Sequence, residues 1–236
     1  MTRTFRALLP CLWPVVAIAC AGGSASQDEI ASAEALRASG SAVEQASSTS
    51  AAPRIVFLGD SLTAGYGLAK EQSVPSLIQS RLASQGYRYE VINAGVSGDT
   101  SAGGLSRLEW SLDGNVEVLV IELGANDGLR GLPVAQMKRN LNEIITQARQ
   151  RGITVILTGM EAPPNYGPAY TSEFRQAFRD LAREHNVGFV PFYLEGVAGN
   201  PTLNISDGLH PNPAGARIVE QTVWRALEPA IEKHAR

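Results

Sequence analysis

From Arg54 to the C-terminus the sequence predicts an α/β fold, a three-layer sandwich built on a flavodoxin-like five-stranded parallel sheet. Two observations lead there. Five short apolar runs recur along this stretch, each bounded by turn residues, as strands buried on both faces are. Between them lie longer segments whose apolar residues repeat at helical spacing. Right-handed crossovers then leave few topologies, and the strand order 2-1-3-4-5 is the natural one.

The first run, Arg54–Gly59 (RIVFLG), ends in a turn and suits a buried parallel strand. A helix follows: Ser73 caps it, Pro75 stands in its first turn, Leu77, Ile78 and Leu82 share a face, and Gly86 ends it. Tyr89–Asn93 (YEVIN) is the second strand, and an amphipathic stretch then carries Leu105, Leu108 and Leu112. Val116–Leu123 (VEVLVIEL) is the strongest strand in the chain. The helix opening at Pro133 buries Val134, Met137, Leu141, Ile144, Ile145 and Ala148, with Gly152 just beyond its end. Thr154–Gly159 and Gly188–Phe192 complete the strands. Between them a helix carries Phe174, Phe178 and Leu181, with Thr171 or Ser172 as its cap. The last helix opens on Asn212 and Pro213, a capping residue before a proline, and buries Ile218, Val219, Val223 and Leu227.

The first 53 residues are of another kind. Arg3 and Arg6 precede an apolar run from Ala7 to Ala19, and small residues follow, which describes a secretory signal peptide over residues 1–19. Pro10 and Pro14 interrupt the run, which is too short for a membrane-spanning helix. Ala17-Ile18-Ala19-Cys20 resembles the bacterial lipobox, in which the cysteine is acylated; ordinary cleavage after the Ala-x-Ala pattern is the alternative. Residues 20–53, rich in Ala, Ser, Gly and Gln, read as a flexible tether that would span on the order of 30 Å. The domain proper is residues 54–236. The expected location is outside the cytoplasm, periplasmic or as an outer-membrane lipoprotein of a Gram-negative bacterium, with membrane attachment through lipidated Cys20.

Composition narrows the function. With 236 residues, 44% hydrophobic and 18% charged, the chain supports a buried core. A net charge of −3, without basic runs past the leader, argues against nucleic acid as a partner. Both cysteines, Cys11 and Cys20, lie in the N-terminal segment, so the domain has no disulfide, thiolate zinc site or cysteine nucleophile.

In a doubly wound sheet the ligand binds outside the carboxyl ends of the strands, so the loop after each strand is where chemistry gathers. Those loops carry Gly59-Asp60-Ser61-Leu62, Ala94-Gly95-Val96-Ser97-Gly98-Asp99, Gly124-Ala125-Asn126-Asp127 and Asp207-Gly208-Leu209-His210-Pro211. A serine hydroxyl is a weak nucleophile until a base takes its proton, and histidine titrates near working pH. Asp207 is placed to hold the His210 imidazole in the required tautomer. The Ser61 and Gly95 backbone amides and the Asn126 side-chain amide are the candidate donors to an oxyanion. Each residue alone reads equally well as turn or loop chemistry. Their joint placement is the signal. His185, late in a helix, and His234, near the C-terminus, read as surface residues.

These four ordered blocks resemble the SGNH (GDSL) hydrolase family, and the resemblance covers the chain from about Arg54 to its end. It implies the SGNH hydrolase fold and a Ser-His-Asp mechanism with no metal and no cofactor, with the catalytic roles on Ser61, Asp207 and His210. The oxyanion roles fall on Ser61, Gly95 and Asn126. FLGDSLTAGYGL, NAGVSGDTSAGGL, ELGANDGLRGLP and PPNYGPAY are similar to the bacterial arylesterase, lysophospholipase L1 and acyl-CoA thioesterase I subgroup. That implies a small-molecule ester, thioester or lysophospholipid as substrate. Leu129, Leu132, Pro163 and Tyr166 are the candidate walls of a partly apolar cleft suited to medium acyl chains. A carbohydrate O-acetylesterase is the alternative within enzymes. A non-catalytic lipid- or glycan-binding lipoprotein has no need of an intact Ser61, Asp207 and His210. A nucleotide-binding protein is disfavoured because the loop after the first strand lacks a phosphate cradle.

Overall fold

The computed structural model describes residues 52–234; the leader, Cys20 and all of the tether but its last two residues lie outside the described residues. Five parallel strands, β1 (Arg54–Gly59), β2 (Glu90–Gly95), β3 (Val116–Glu122), β4 (Thr154–Thr158) and β5 (Gly188–Val190), form one sheet in the order β2-β1-β3-β4-β5. The predicted order is the observed one. Every residue from Ile55 to Leu58 and from Val118 to Ile121 is buried, because both faces of the sheet are covered. The helices are α1 (Ser61–Ala64), α2 (Val74–Ser84), α3 (Ser101–Ser106), α4 (Leu108–Ser111), α5 (Ala125–Leu129), α6 (Val134–Gln150), α7 (Gly167–His185) and α8 (Pro213–His234). The helices α2 and α8 pack together on one side; α6 packs with α3 and α7 on the other.

The ends of the elements follow local chemistry. Ser73 Oγ accepts the Ser76 amide at the start of α2, with Pro75 in the first turn. Asn212 Oδ1 accepts from the amides of Ala214 and Gly215 at 2.9 and 3.1 Å, opening α8. The α6 face buries Val134, Met137, Leu141, Ile144, Ile145 and Ala148, as its spacing predicts.

Some boundaries differ from the sequence reading. The α7 helix starts at Gly167, so neither Thr171 nor Ser172 caps it; Pro168 in the first turn needs no N–H partner, and the Thr171 hydroxyl donates back to Gly167 O. The second strand runs on to Gly95, because that residue pairs with Gly59 of β1. The fifth strand stops at Val190, since Pro191 cannot donate to a ladder. Ile218 is only half-buried, on the flank of α8.

Candidate active site

The strand β1 delivers Ser61 at the first position of α1, at the carboxyl edge of the sheet. Asp60 caps that short helix by accepting the Leu62 amide at 3.0 Å, and Gly65 ends it in a left-handed conformation (φ 81°). A four-residue helix between an aspartate cap and a glycine stop holds the serine firmly. From the far end of the chain comes His210, with Nε2 2.8 Å from Ser61 Oγ. Its Nδ1 lies 2.6 Å from Asp207 Oδ2. A carboxylate only accepts, so Nδ1 carries the proton and Nε2 accepts from the serine hydroxyl. The amides of Leu209 and His210 donate to the other oxygen of Asp207 at 2.9 and 3.0 Å. Those amides, the His210 one foremost, draw the Asp207 carboxyl down to about 2.

Of the three expected oxyanion donors, two are free. Among the described residues the Ser61 N–H has no partner. Asn126 follows Gly124, whose φ of 113° a side chain would not tolerate, and lies in α5 directly after β3. Its Nδ2 donates one proton to Asp60 Oδ2 at 2.9 Å and keeps the other. Gly95 is the correction. Its N–H donates to Asn93 Oδ1 at 3.0 Å, so it has no donor to offer, and it is glycine because a Cβ there would lie 2.3 Å from the Ala64 nitrogen.

Three supports escaped the sequence reading because no local pattern marks them. Arg107 donates to Gly59 O, Ala94 O and Asp99 Oδ2, at 2.9, 2.7 and 2.7 Å, which ties the ends of β1 and β2 to the loop between β2 and α3. Asp127 is buried and accepts both the amide and the hydroxyl of Ser101, joining the Asn126 turn to α3. Under the nucleophile turn, Glu122 is fully buried and accepts from the Asp60 amide and the Thr63 hydroxyl at 3.2 and 2.8 Å. Burial, followed by the neighbouring Asp60 charge, pushes its carboxyl well above the usual range.

A cleft of about 360 Å³ opens beside Ser61, Asn126 and His210. Of the four predicted wall residues, Leu129 and Pro163 line it, joined by Met160, Phe192, Leu194 and Leu209. Leu132 and Tyr166 do not. Tyr166 instead packs over Gly131 and donates its hydroxyl to Leu129 O at 2.9 Å, behind the wall rather than in it. Of the other histidines, His185 is bonded to Asn142 and His234 to Thr154, each at a helix end away from the cleft.

The family model described as "GDSL-like Lipase/Acylhydrolase family" matches residues 57–218, the span that contains all of these loops. The chain belongs to this family. It is 43% identical over 182 residues to the esterase TesA of Pseudomonas aeruginosa, covering 77% of this chain and 90% of that protein. To the arylesterase of Vibrio mimicus it is 40% identical, over 75% of this chain and 89% of the relative. To the thioesterase 1/protease 1/lysophospholipase L1 of Escherichia coli it is 34% identical, over 77% and 86%. The crystal structure of TesA superposes with a TM-score of 0.72 at 44% identity, covering 75% of this chain and 99% of that one. This GDSL-family chain is a carboxylic ester hydrolase on the SGNH fold.

Proposed function

We propose that the chain hydrolyses acyl esters and thioesters, aryl esters and lysophospholipids among them, through an acyl-enzyme on Ser61. As Ser61 Oγ attacks the substrate carbonyl, His210 Nε2 takes its proton, and the Asp207 carboxylate stabilises the imidazolium that results. The tetrahedral intermediate collapses when His210 returns the proton to the leaving alcohol or thiol. Water, deprotonated by the same imidazole, then cleaves the acyl-enzyme to the carboxylic acid. The observation that carries this reading is the unbroken chain of contacts from Ser61 through His210 to Asp207 at the mouth of an apolar cleft.

The oxyanion is received by the Ser61 amide, the free proton of Asn126 and, in place of Gly95, the Gly98 amide. Support for Gly98 is local: it sits in a left-handed turn (φ 85°), its carbonyl is held by Arg130 at 2.8 Å, and its N–H has no acceptor among the described residues. Having no side chain, it leaves that amide open to a bulky intermediate. The cleft, at the small end of ligand pockets of roughly 300–1,000 Å³, suits medium acyl chains better than an acetylated sugar, which would need polar walls. The leader and Cys20 support export and lipid anchoring. A Cys20→Ala chain that left the detergent phase would agree with this, and one that partitioned like the wild type would refute the anchor.

The test is labelling with a fluorophosphonate and mapping of the modified residue. Ser61 alone is expected to be labelled, and Ser61→Ala should neither label nor hydrolyse a p-nitrophenyl ester while keeping its fold. Label on another residue overturns the reading. Profiling acyl chains from acetyl to dodecanoyl, beside acetylated sugars, tests the substrate class.

A further inference from the structure

Between the nucleophile helix and α2 lies an aromatic side chain that the mechanism above leaves unused. Tyr66 is 55% exposed, yet its ring centroid stands 4.7 Å from that of the His210 imidazole, with the planes inclined at 44°. The backbone around it is built to hold it there. The amides of both Gly65 and Tyr66 donate to Ser61 O, at 3.1 and 3.0 Å, so the turn that presents the ring is an extension of the turn that presents the nucleophile. Gly65 and Gly67 flank it with φ of 81° and 78°, a left-handed pair that swings the intervening side chain across to the histidine loop. Both backbone conformations strain any side chain, a Cβ on Gly65 would lie 2.7 Å from Ser73 Cβ, and one on Gly67 would meet the tip of the Ile205 side chain at 2.8 Å.

Ile205 is itself a brace of the histidine loop. Its amide donates to His210 O at 2.8 Å, and its carbonyl accepts the Gly208 amide at 3.0 Å. The Gly65–Tyr66–Gly67 turn therefore presses on the Asp207–His210 loop twice, through a ring on the imidazole and through a glycine against Ile205. That loop needs an external hold, because Ser206, Asp207, Gly208 and Leu209 are all exposed. The imidazole's two hydrogen bonds fix its ring nitrogens in line with Ser61 and Asp207 but leave rotation about that line open. The Tyr66 ring, tilted 44° beside the imidazole at 4.7 Å, restricts that freedom.

We propose that Tyr66 is a positioning residue for His210: its ring, carried on the same turn as the nucleophile, keeps the imidazole aligned between Ser61 and Asp207. The ring acts by contact, not through its hydroxyl. This rests on the assignment of His210 as base, and hydrolysis by the wild type, with labelling at Ser61, tests that assignment first.

The experiment compares Tyr66→Ala and Tyr66→Phe with the wild type for kcat and KM on a short p-nitrophenyl ester, for the rate of fluorophosphonate labelling, and for Tm. An aromatic contact of this kind corresponds to about a tenfold effect. Tyr66→Ala should therefore lose about tenfold in kcat and in labelling rate, with KM within about twofold and Tm unchanged. Tyr66→Phe should match the wild type in both rates. Three results overturn the proposal: Tyr66→Ala turning over like wild type, Tyr66→Phe as impaired as Tyr66→Ala, or a rise in KM at constant kcat, which would make Tyr66 part of the substrate wall. A wild type that neither hydrolyses nor labels at Ser61 sinks the proposed function instead.

Discussion

Asn126 gives one amide proton to Asp60 and lines the cleft, so one bond fixes the orientation of its side chain and leaves a second amide proton for the oxyanion role proposed above. In that proposed role its contribution would belong to the transition state, where negative charge develops on oxygen. Asn126→Ala is expected to lower kcat by about 10²–10³-fold with little change in KM, as the loss of one preorganised donor does. Steady-state kinetics on a p-nitrophenyl ester measure it, and an unchanged kcat removes the residue from that role. Asp207 makes a pH prediction. Its carboxyl is held at about 2, below the roughly 3.9 of an unfolded chain, chiefly by the His210 and Leu209 amides. A depressed carboxyl stabilises the fold above the unfolded value, and that contribution is lost as pH falls through the folded one. The wild type should therefore lose stability relative to Asp207→Asn between about pH 4 and pH 2 and not above, as acid unfolding followed by circular dichroism will report. Parallel curves for the two proteins would refute it.

At the scale of elements, the site depends on how tightly α1 sits on the end of β2. Gly95 is the point of contact, with the Ala64 nitrogen and the Thr63 carbonyl carbon 2.3 and 2.8 Å from where a Cβ would stand. Backbone cannot retreat as a flexible side chain can. Gly95→Ala should cost roughly 1–3 kcal/mol in urea unfolding, and it should lower kcat as well, because the helix displaced is the one that carries Ser61. Stability equal to wild type would show that α1 moves freely, contrary to the packing. The two short helices at the site, α1 and α5, read as loops in the sequence. Four and five residues are too few for helical periodicity to register; α1 is set by the Asp60 cap and the Gly65 stop, and α5 opens on the left-handed Gly124 with no side-chain cap.

Across the whole molecule, the two ends of the domain are clasped on one side of the sheet. Arg81 of α2 makes a two-pronged bond to Glu220 of α8, at 2.6 and 2.8 Å, and lies over the Trp224 ring at 5.2 Å. The Glu220 side chain is only 7% exposed, so removing its partner strands a charge with little water. Arg81→Met is expected to lose about 1–3 kcal/mol, below the full value for a buried pair because Arg81 itself is partly in solvent. The double variant Arg81→Met with Glu220→Leu should recover most of that loss in urea denaturation, since it leaves no orphan charge. A double variant as unstable as the single one would show that packing by the arginine stem, not the charge pair, is what matters. The same clasp bears on function: α8 begins directly after the histidine loop, and α2 soon after the nucleophile turn.

The fold was legible because its signals are local. Short apolar runs, capping residues, prolines in first turns and glycines at ends act over a few residues, and connection handedness then orders the strands. The residues gathered at the candidate site were legible too, since a parallel sheet brings the loops after its strands to one edge, and those loops held Ser61, Asn126, Asp207 and His210. Only the tertiary structure decided which of their groups are free. The Gly95 amide is taken by Asn93, Tyr166 stands behind the cleft wall instead of in it, and Arg107, Asp127 and Glu122 brace the loops from within. The physical reason is that a hydrogen bond uses up a donor and packing uses up space. Asn93 takes the Gly95 amide from two residues away, but Tyr166 meets Leu129, Arg107 meets Gly59, Asp127 meets Ser101 and Glu122 meets Asp60 from 26 to 62 positions off, which no window along the chain contains.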